Sequence, residues 1–310
     1  MSEATLKPTN GPAPNRTEID EPGRPGGPNL NPQESRVIAA NIDFYRKNAI
    51  QYDRYETYLF DAALQGSLER DLDRIAAYFA PLGRAPSCLE CGGGTGNLTL
   101  KMCARGWRVT VVDISEDMLD LLRKKSCAMA RGPELVCGSI ERFLHEAQEK
   151  YDVIAFSSVL HHLYSYLDVV QHSLACVRPG GFFYSNYDPV QPARPLLTRA
   201  LDSLDIAIAK LWFDPNDVLP GIQRRLRKLL SAKDASLGRK IVSAGDIAEY
   251  HAKAGLDDEE ILRILRRSGF AIVEHSRFTT GRTTPIRFLN SHFPLLQSFK
   301  ILARSREESP

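Results

Sequence analysis

Apolar positions along the chain follow two rhythms. Up to about Ala80 they recur at helix spacing: Val37, Ile38, Ile42 and Tyr45, then Leu68, Leu72, Ile75, Ala76 and Phe79. From Ala85 onward, short apolar runs at 87–91, 107–112, 134–137, 151–157 and 181–187 read as strands. Helical segments at 96–105, 116–130, 140–148 and 165–177 fill the gaps between them. Such alternation implies a parallel sheet with helices on both faces and right-handed crossovers. It stops at Asp188-Pro189. Residues 190–255 read as loops and helices without a strand, and then come a helix at 258–268 and strands at 270–279 and 297–304. The segment 190–255 is therefore an insertion that splits the last unit of the sheet.

Composition narrows the picture. Of 310 residues, 43% are hydrophobic and 25% charged, ordinary values for a protein with a real core. A formal net charge of +2 does not supply the concentrated basic face of a nucleic-acid binder. Residues 1–32 are rich in Pro, Gly and Asn with almost no apolar content, so a disordered tail is expected there. No segment has signal-peptide or membrane-spanning character, which makes a cytoplasmic setting the expectation. The six cysteines, at 88, 91, 103, 127, 137 and 176, lack the spacing of a disulfide framework. Cys88 and Cys91 form a lone C-x-x-C. Three apart on a strand, they face opposite sides, which suits buried packing rather than a metal or redox pair, and no metal is expected.

The candidate chemistry starts where the first strand runs into glycines, at Glu90-Cys91-Gly92-Gly93-Gly94-Thr95-Gly96. Open parallel sheets bind ligands at such strand-to-helix turns, and glycine lets the backbone approach a ligand closely. A dinucleotide site needs G-x-G-x-x-G facing a pyrophosphate, but Asn97 stands at its third glycine position. Glu90 would repel a diphosphate and would attract a cationic amino-acid group. S-adenosylmethionine carries an ammonium and a sulfonium and no phosphate, so position 90 favours it. The next strand ends in Asp113, placed to accept both hydroxyl hydrogens of a ribose.

These residues resemble class I S-adenosylmethionine-dependent methyltransferases, in particular the type-11 group that acts on small molecules. The likeness covers roughly 44–189 and, more weakly, 258–304. Leu89 to Gly96 resembles the family's first motif, and Val112 to Leu119 its second, in which the acid binds ribose and residues such as Ile114 and Met118 flank adenine. Cys137-Gly138-Ser139-Ile140-Glu141 resembles the third, with Ser139 in place of the usual aspartate that touches the adenine amino group. Tyr151 to Leu163 resembles the fourth, whose strand end, here Ser157-Ser158, lies beside the methionine part of the cofactor. Arg178-Pro179-Gly180-Gly181 is the family's turn before the fifth strand. Tyr45 and Tyr52 resemble tyrosines that close over the cofactor. The resemblance thus implies an α/β, Rossmann-like class I methyltransferase fold: a seven-stranded, mostly parallel sheet with a C-terminal antiparallel strand, an N-terminal helical cap and a helical lid insertion. It implies cofactor contacts from Tyr45, Tyr52, Glu90, Gly92, Gly94, Gly96, Asp113, Ile114, Met118, Ser139, Ile140, Ser157 and Ser158. It divides the chain into a tail at 1–32, a cap at 33–82, a cofactor-binding core at 83–189, a lid at 190–255 and a closing segment at 256–310.

Methyl transfer from a sulfonium mostly requires an aligned nucleophile and exclusion of water, and a hydroxyl or amine acceptor gains from a base. His161 and His162, after the fourth strand, are the candidates; the alternative is a pair that packs beside the cofactor. Tyr187 and Asp188 follow the fifth strand, where an acceptor cavity is expected to open, and Tyr250 and His251 stand where a lid would enter it. The insertion carries a basic, apolar-striped segment, Ile222 to Leu230, which reads either as a contact with membrane or an anionic carrier or as a solvated helix. A lid of this size suits a bulky, partly apolar acceptor: a natural product, quinone or lipid-like metabolite. Two other readings stay open. One is a methyltransferase acting on tRNA or protein, although Ser157-Ser158 replaces the N-P-P-Y type of amide-methylating motif. The other is a relative that binds the cofactor and transfers no methyl group.

Overall fold

The computed structural model describes residues 32–49, 61–213, 233–234, 239–240, 247, 250–252 and 254–307. Tyr52, the segment 222–230 and nearly all of the expected tail lie outside the described residues.

The strands are β1 (Ser87–Cys91), β2 (Arg108–Asp113), β3 (Glu134–Cys137), β4 (Tyr151–Ser157), β5 (Val177–Pro189), β6 (Lys233–Asp234), β7 (Arg239–Lys240), β8 (Phe270–Thr279) and β9 (Gln297–Ser305). The described helices are α1 (Pro32–Asn48), α2 (Ala62–Phe79), α3 (Asn97–Ala104), α4 (Glu116–Ser126), α5 (Ile140–Glu146), α6 (Tyr166–Ala175), α7 (Pro195–Phe213), α8 (Asp258–Arg267) and α9 (Thr284–His292). Seven strands form one sheet in the order β3-β2-β1-β4-β5-β9-β8. The first five pair in parallel, and β9 lies antiparallel between β5 and β8. This is the mostly parallel sheet with an antiparallel C-terminal strand that the sequence implies.

Burial follows from the strand pattern. Every residue of β1 is buried, as central parallel strands require. Side chains alternate between two cores: Cys88, Val109, Val111, Val153 and Ala155 pack with α2, α3 and α4, and Leu89, Cys91, Val112, Ile154 and Phe156 pack on the other face with α5, α6 and α8. The Val, Leu, Ile and Phe side chains among them each contribute about 1.5–3 kcal/mol. Cys88 and Cys91 fall in different cores, and all six thiols are free.

Helix starts follow their capping residues. Asp61 accepts from the backbone of Ala63 and Leu64, Ser115 from Met118 and Asp257 from Glu260. Four elements depart from the expected pattern. α4 ends at Ser126 rather than 130, where the Ser126 hydroxyl turns back to the Arg123 carbonyl. α9 was hidden because only Ile286 and Asn290 of its nine residues are buried. The two-residue strands β6 and β7 pair inside the insertion; runs so short carry no readable alternation. Among the described residues, no helix is long and apolar enough to cross a membrane.

The amino-terminal ends of β1 and β4 are tied by Asp152, which is 2% exposed. It accepts two hydrogen bonds from Arg84, at 2.6 and 2.8 Å, and others from the backbone and hydroxyl of Ser87. Burial pushes this carboxyl up, but the Arg84 and Ser87 bonds outweigh it and hold it below the usual carboxylate range. Its contribution is therefore present above the unfolded-state pKa and is lost as the pH falls through the lower folded value. Asp152→Ala is expected to cost about 1–3 kcal/mol in urea unfolding at pH 7, since the arginines left behind reach solvent, and its gap from wild type should shrink below pH 4.

Candidate active site

A cleft opens at the carboxyl ends of β1, β2 and β4, where the sheet order reverses direction, the usual ligand position in such folds. It holds about 1010 Å3, part of it open to solvent. Its floor is the turn after β1. Gly92 (φ +74°) donates to the Val112 carbonyl at 2.7 Å, and a Cβ there would sit 2.2 Å from Val159 Cγ2. Gly94 (φ +52°) faces open space, so its bare backbone can meet a ligand. Gly96 lies outside the cleft lining. It precedes α3 at φ +95°, and a Cβ there would strike Leu122, so its task is in the turn.

Two buried carboxyl groups end the adjacent strands. Asp113 Oδ2 accepts from the Gly94 N–H at 2.8 Å and Oδ1 from Ser115 N–H at 2.9 Å. Burial raises its pKa while these bonds oppose the rise. Glu90 is 1% exposed and accepts from the Thr99 hydroxyl at 2.5 Å. Burial pushes Glu90 up to about 8, the Thr99 bond opposes this, and the nearby Asp113 adds to it. Ile114, Met118, Ser139, Ile140, Ser157 and Ser158 complete the expected lining. Ser139 caps α5 by accepting from Arg142 N–H and donates to Glu141 Oε2 at 2.8 Å. Glu141, not singled out in the sequence, thereby lines the cleft.

One face of α1 forms the opposite wall. Glu34, Val37, Ile38, Asn41 and Tyr45 line the cleft, at the spacing that puts side chains on one helix face. The apolar stripe of α1 was the available signal for Asn41, which sequence reasoning passed over. Asn41 Nδ2 donates to the carbonyls of Val37 and His162. Both partners are acceptors only, so the amide orientation is fixed, and Oδ1 is buried without a partner.

The two histidines separate. Their rings are in contact, centroids 3.9 Å apart and planes inclined by 42°, but only His162 lines the cleft. His162 Nε2 and the Tyr45 hydroxyl share a 2.6 Å hydrogen bond. His161 turns inward, where Nδ1 lies 2.7 Å from Asp188 Oδ1. Burial drives this pair toward neutrality, the imidazole down and the carboxyl up. The acceptor cavity expected at Tyr187 and Asp188 is not among their surroundings. A register shift between Asn186 and Asp188, with Tyr187 at φ +65°, turns Asp188 under His161, and the Tyr187 hydroxyl bonds the Leu64 carbonyl. His251 supports the same corner: its N–H donates to the His161 carbonyl, and its ring bonds the Tyr164 carbonyl. Tyr250 packs against Tyr164. Neither His251 nor Tyr250 lines the cleft.

With this geometry, a family described as the methyltransferase domain matches residues 60–275, and the chain belongs to that family. The tRNA 5-carboxymethoxyuridine methyltransferase of Escherichia coli is 31% identical over 152 residues, 42% of this chain and 56% of that protein. The chain thus spans little more than half the length of this relative. The ubiquinone/menaquinone biosynthesis C-methyltransferase of Azotobacter vinelandii is 26% identical over 58% of this chain and 69% of its own length. Among solved structures, magnesium protoporphyrin IX methyltransferase of Synechocystis, with S-adenosylhomocysteine bound, shares the fold at a TM-score of 0.50 and 16% identity, over 87% of this chain and 99% of that one.

The raised pKa of Glu90 fixes a sign. Its neutral form favours the fold below the unfolded-state value of about 4.5, and that advantage is lost as the pH rises through about 8. Glu90→Gln should therefore gain stability relative to wild type as the pH rises from 5 to 8, on the order of 1 kcal/mol per pH unit. Thermal unfolding across that range measures it; a pH-independent difference would remove the assignment.

Proposed function

We propose that the cleft binds S-adenosylmethionine and that the protein transfers its methyl group to a small, bulky and partly apolar metabolite. One observation carries this reading: the described lining holds the carboxyl groups of Glu34, Glu90, Asp113 and Glu141 and no Lys or Arg. That wall suits a cationic ligand and disfavours a diphosphate or a nucleic-acid backbone. Membership of the methyltransferase family supports it. The cofactor supplies a methyl group on a positively charged sulfur.

In this reading Glu90 takes the ammonium. Asp113 keeps a second lone pair on each oxygen after its two backbone bonds, enough for two ribose hydroxyls. Ile114 and Met118 flank the adenine. Ser139, in place of an aspartate, holds Glu141 so that this carboxylate accepts from the adenine amino group. Ser157 and Ser158 stand beside the methionine part. With His162 in the tautomer that leaves Nε2 as acceptor for the Tyr45 hydroxyl, an acceptor hydroxyl or amine can give its proton to the Tyr45 oxygen as Tyr45 passes its own to His162. His161, bonded to Asp188, positions the His162 turn. The insertion at 190–255 covers the acceptor, and the protein works in the cytoplasm. A second reading, action on tRNA, is favoured by the Escherichia coli relative, but the acidic lining opposes it.

S-adenosylhomocysteine should bind in calorimetry, and Asp113→Ala should weaken it on the order of 10- to 100-fold. Cation binding ionises Glu90, so affinity should rise between pH 6 and 8 with proton release, seen as a buffer-dependent heat; no release would count against the Glu90 role. Tyr45→Phe and His162→Asn should each lower kcat on the order of 100-fold or more with little change in cofactor affinity. A metabolite library screened with S-adenosylhomocysteine present tests the acceptor class. Preference for free amino acids, or retarded migration of tRNA, would overturn it.

A further inference from the structure

Of the eight large apolar side chains exposed among the described residues, six lie on or beside two helices, α7 and α9: Leu196, Leu197, Leu204, Phe288, Leu289 and Phe293. Leu196 is 80% exposed, Phe288 69% and Phe293 64%. Contiguous exposed apolar surface marks an interaction site.

The two helices are fastened together. Asp205, wholly buried on α7, accepts from the backbones of Arg282 and Thr283 and from the Thr283 hydroxyl before α9. Arg282 reaches Asp202, and Thr198 donates to the Leu295 carbonyl. The exposed aromatics are not on a frayed end. Asn290 donates to the carbonyls of Thr280 and Leu296 and accepts from the N–H groups of Leu295 and Leu296, which pins the turn that carries Phe293.

Charge identifies the partner. The segments 191–200 and 284–296 contain Arg194, Arg199 and Arg287 and not one acidic residue. The acids beside Leu204 are occupied, Asp202 with Arg282 and Asp205 buried against Thr283, so apolar side chains on segments that carry arginines suit an interface with buried acyl chains and anionic headgroups. Position agrees with this. β5 and β8 run in the same direction as β1, so α7 and α9 leave the sheet from the edge where the cleft opens.

We propose that the α7–α9 face docks on an anionic lipid surface. Docking of this kind presents the open edge of the cleft to molecules dissolved in the bilayer. The inference stands independently of the cofactor reading.

The test is co-sedimentation of the full chain with phosphatidylcholine vesicles, with and without 30% phosphatidylglycerol, alongside light scattering. The protein should pellet with the anionic vesicles only. Phe288→Ser and Phe293→Ser should each lower partition on the order of tenfold, and the pair Arg194→Glu and Arg199→Glu should abolish the dependence on phosphatidylglycerol. Thermal melts and S-adenosylhomocysteine titrations should be unchanged in these variants, which separates loss of docking from loss of fold or of the cleft. Failure of wild type to pellet with either vesicle would overturn the proposal. So would a dimer that the Phe288 and Phe293 variants dissociate, since that result assigns the face to a second copy of this chain.

Discussion

A carboxyl group removed from water without a counter-charge costs several kcal/mol unless it is neutral or hydrogen-bonded. Glu90 is in that position. It sits at the end of the central strand, 1% exposed, with a hydroxyl as its hydrogen-bond partner. Much of the surrounding structure serves to hold it there. The strands on either side of β1 fix the backbone, and α3 brings Thr99 under the carboxylate. The glycine turn keeps side chains out of the space beyond, since Gly94 faces nothing within 4 Å. A carboxyl group so placed would be stabilised by a cation beside it, which is the basis of the proposed role of Glu90. The same logic extends to Asp113, whose two backbone bonds orient the carboxylate and leave half of its acceptor capacity for a ligand.

The parts of this fold that were legible in the sequence are those governed by period and by local geometry. Strands β1 to β5 announced themselves as apolar runs, and the order of strands and helices implied their parallel pairing. Glu90, Gly94 and Asp113 were legible because each occupies the end of a strand or its turn, where position along the chain determines position in space. Gly96 was read with them, yet its positive φ and the nearness of Leu122 explain it without a ligand.

What the sequence could not supply is pairing across long separations. Asn41 and His162 meet 121 residues apart, and Tyr45 and His162 117 apart. Helix periodicity says that α1 has an inward face and nothing about which loop that face covers. Asp188 illustrates the same limit. A strand end normally opens to the ligand, but one shift of register between Asn186 and Asp188 re-aims the side chain beneath His161. Bulges have no signature in the apolar pattern here, so the separation of the histidine pair, one inward and one toward the cleft, emerged only from the folded chain.

That separation bears on how the proposed reaction would be controlled. His161 is locked: its ring is held by Asp188, its N–H by the same carboxylate, and its carbonyl by the His251 N–H from the far end of the insertion. His162 packs against this fixed ring at a tilt and takes its carbonyl contact from Asn41 and its ring contact from Tyr45, both on α1. The proposed proton relay would thus be assembled from a fixed core residue and a covering helix, His162 from the β4 turn and Tyr45 from α1. In that proposal the face of α1 that lines the cleft also supplies the hydroxyl that meets His162.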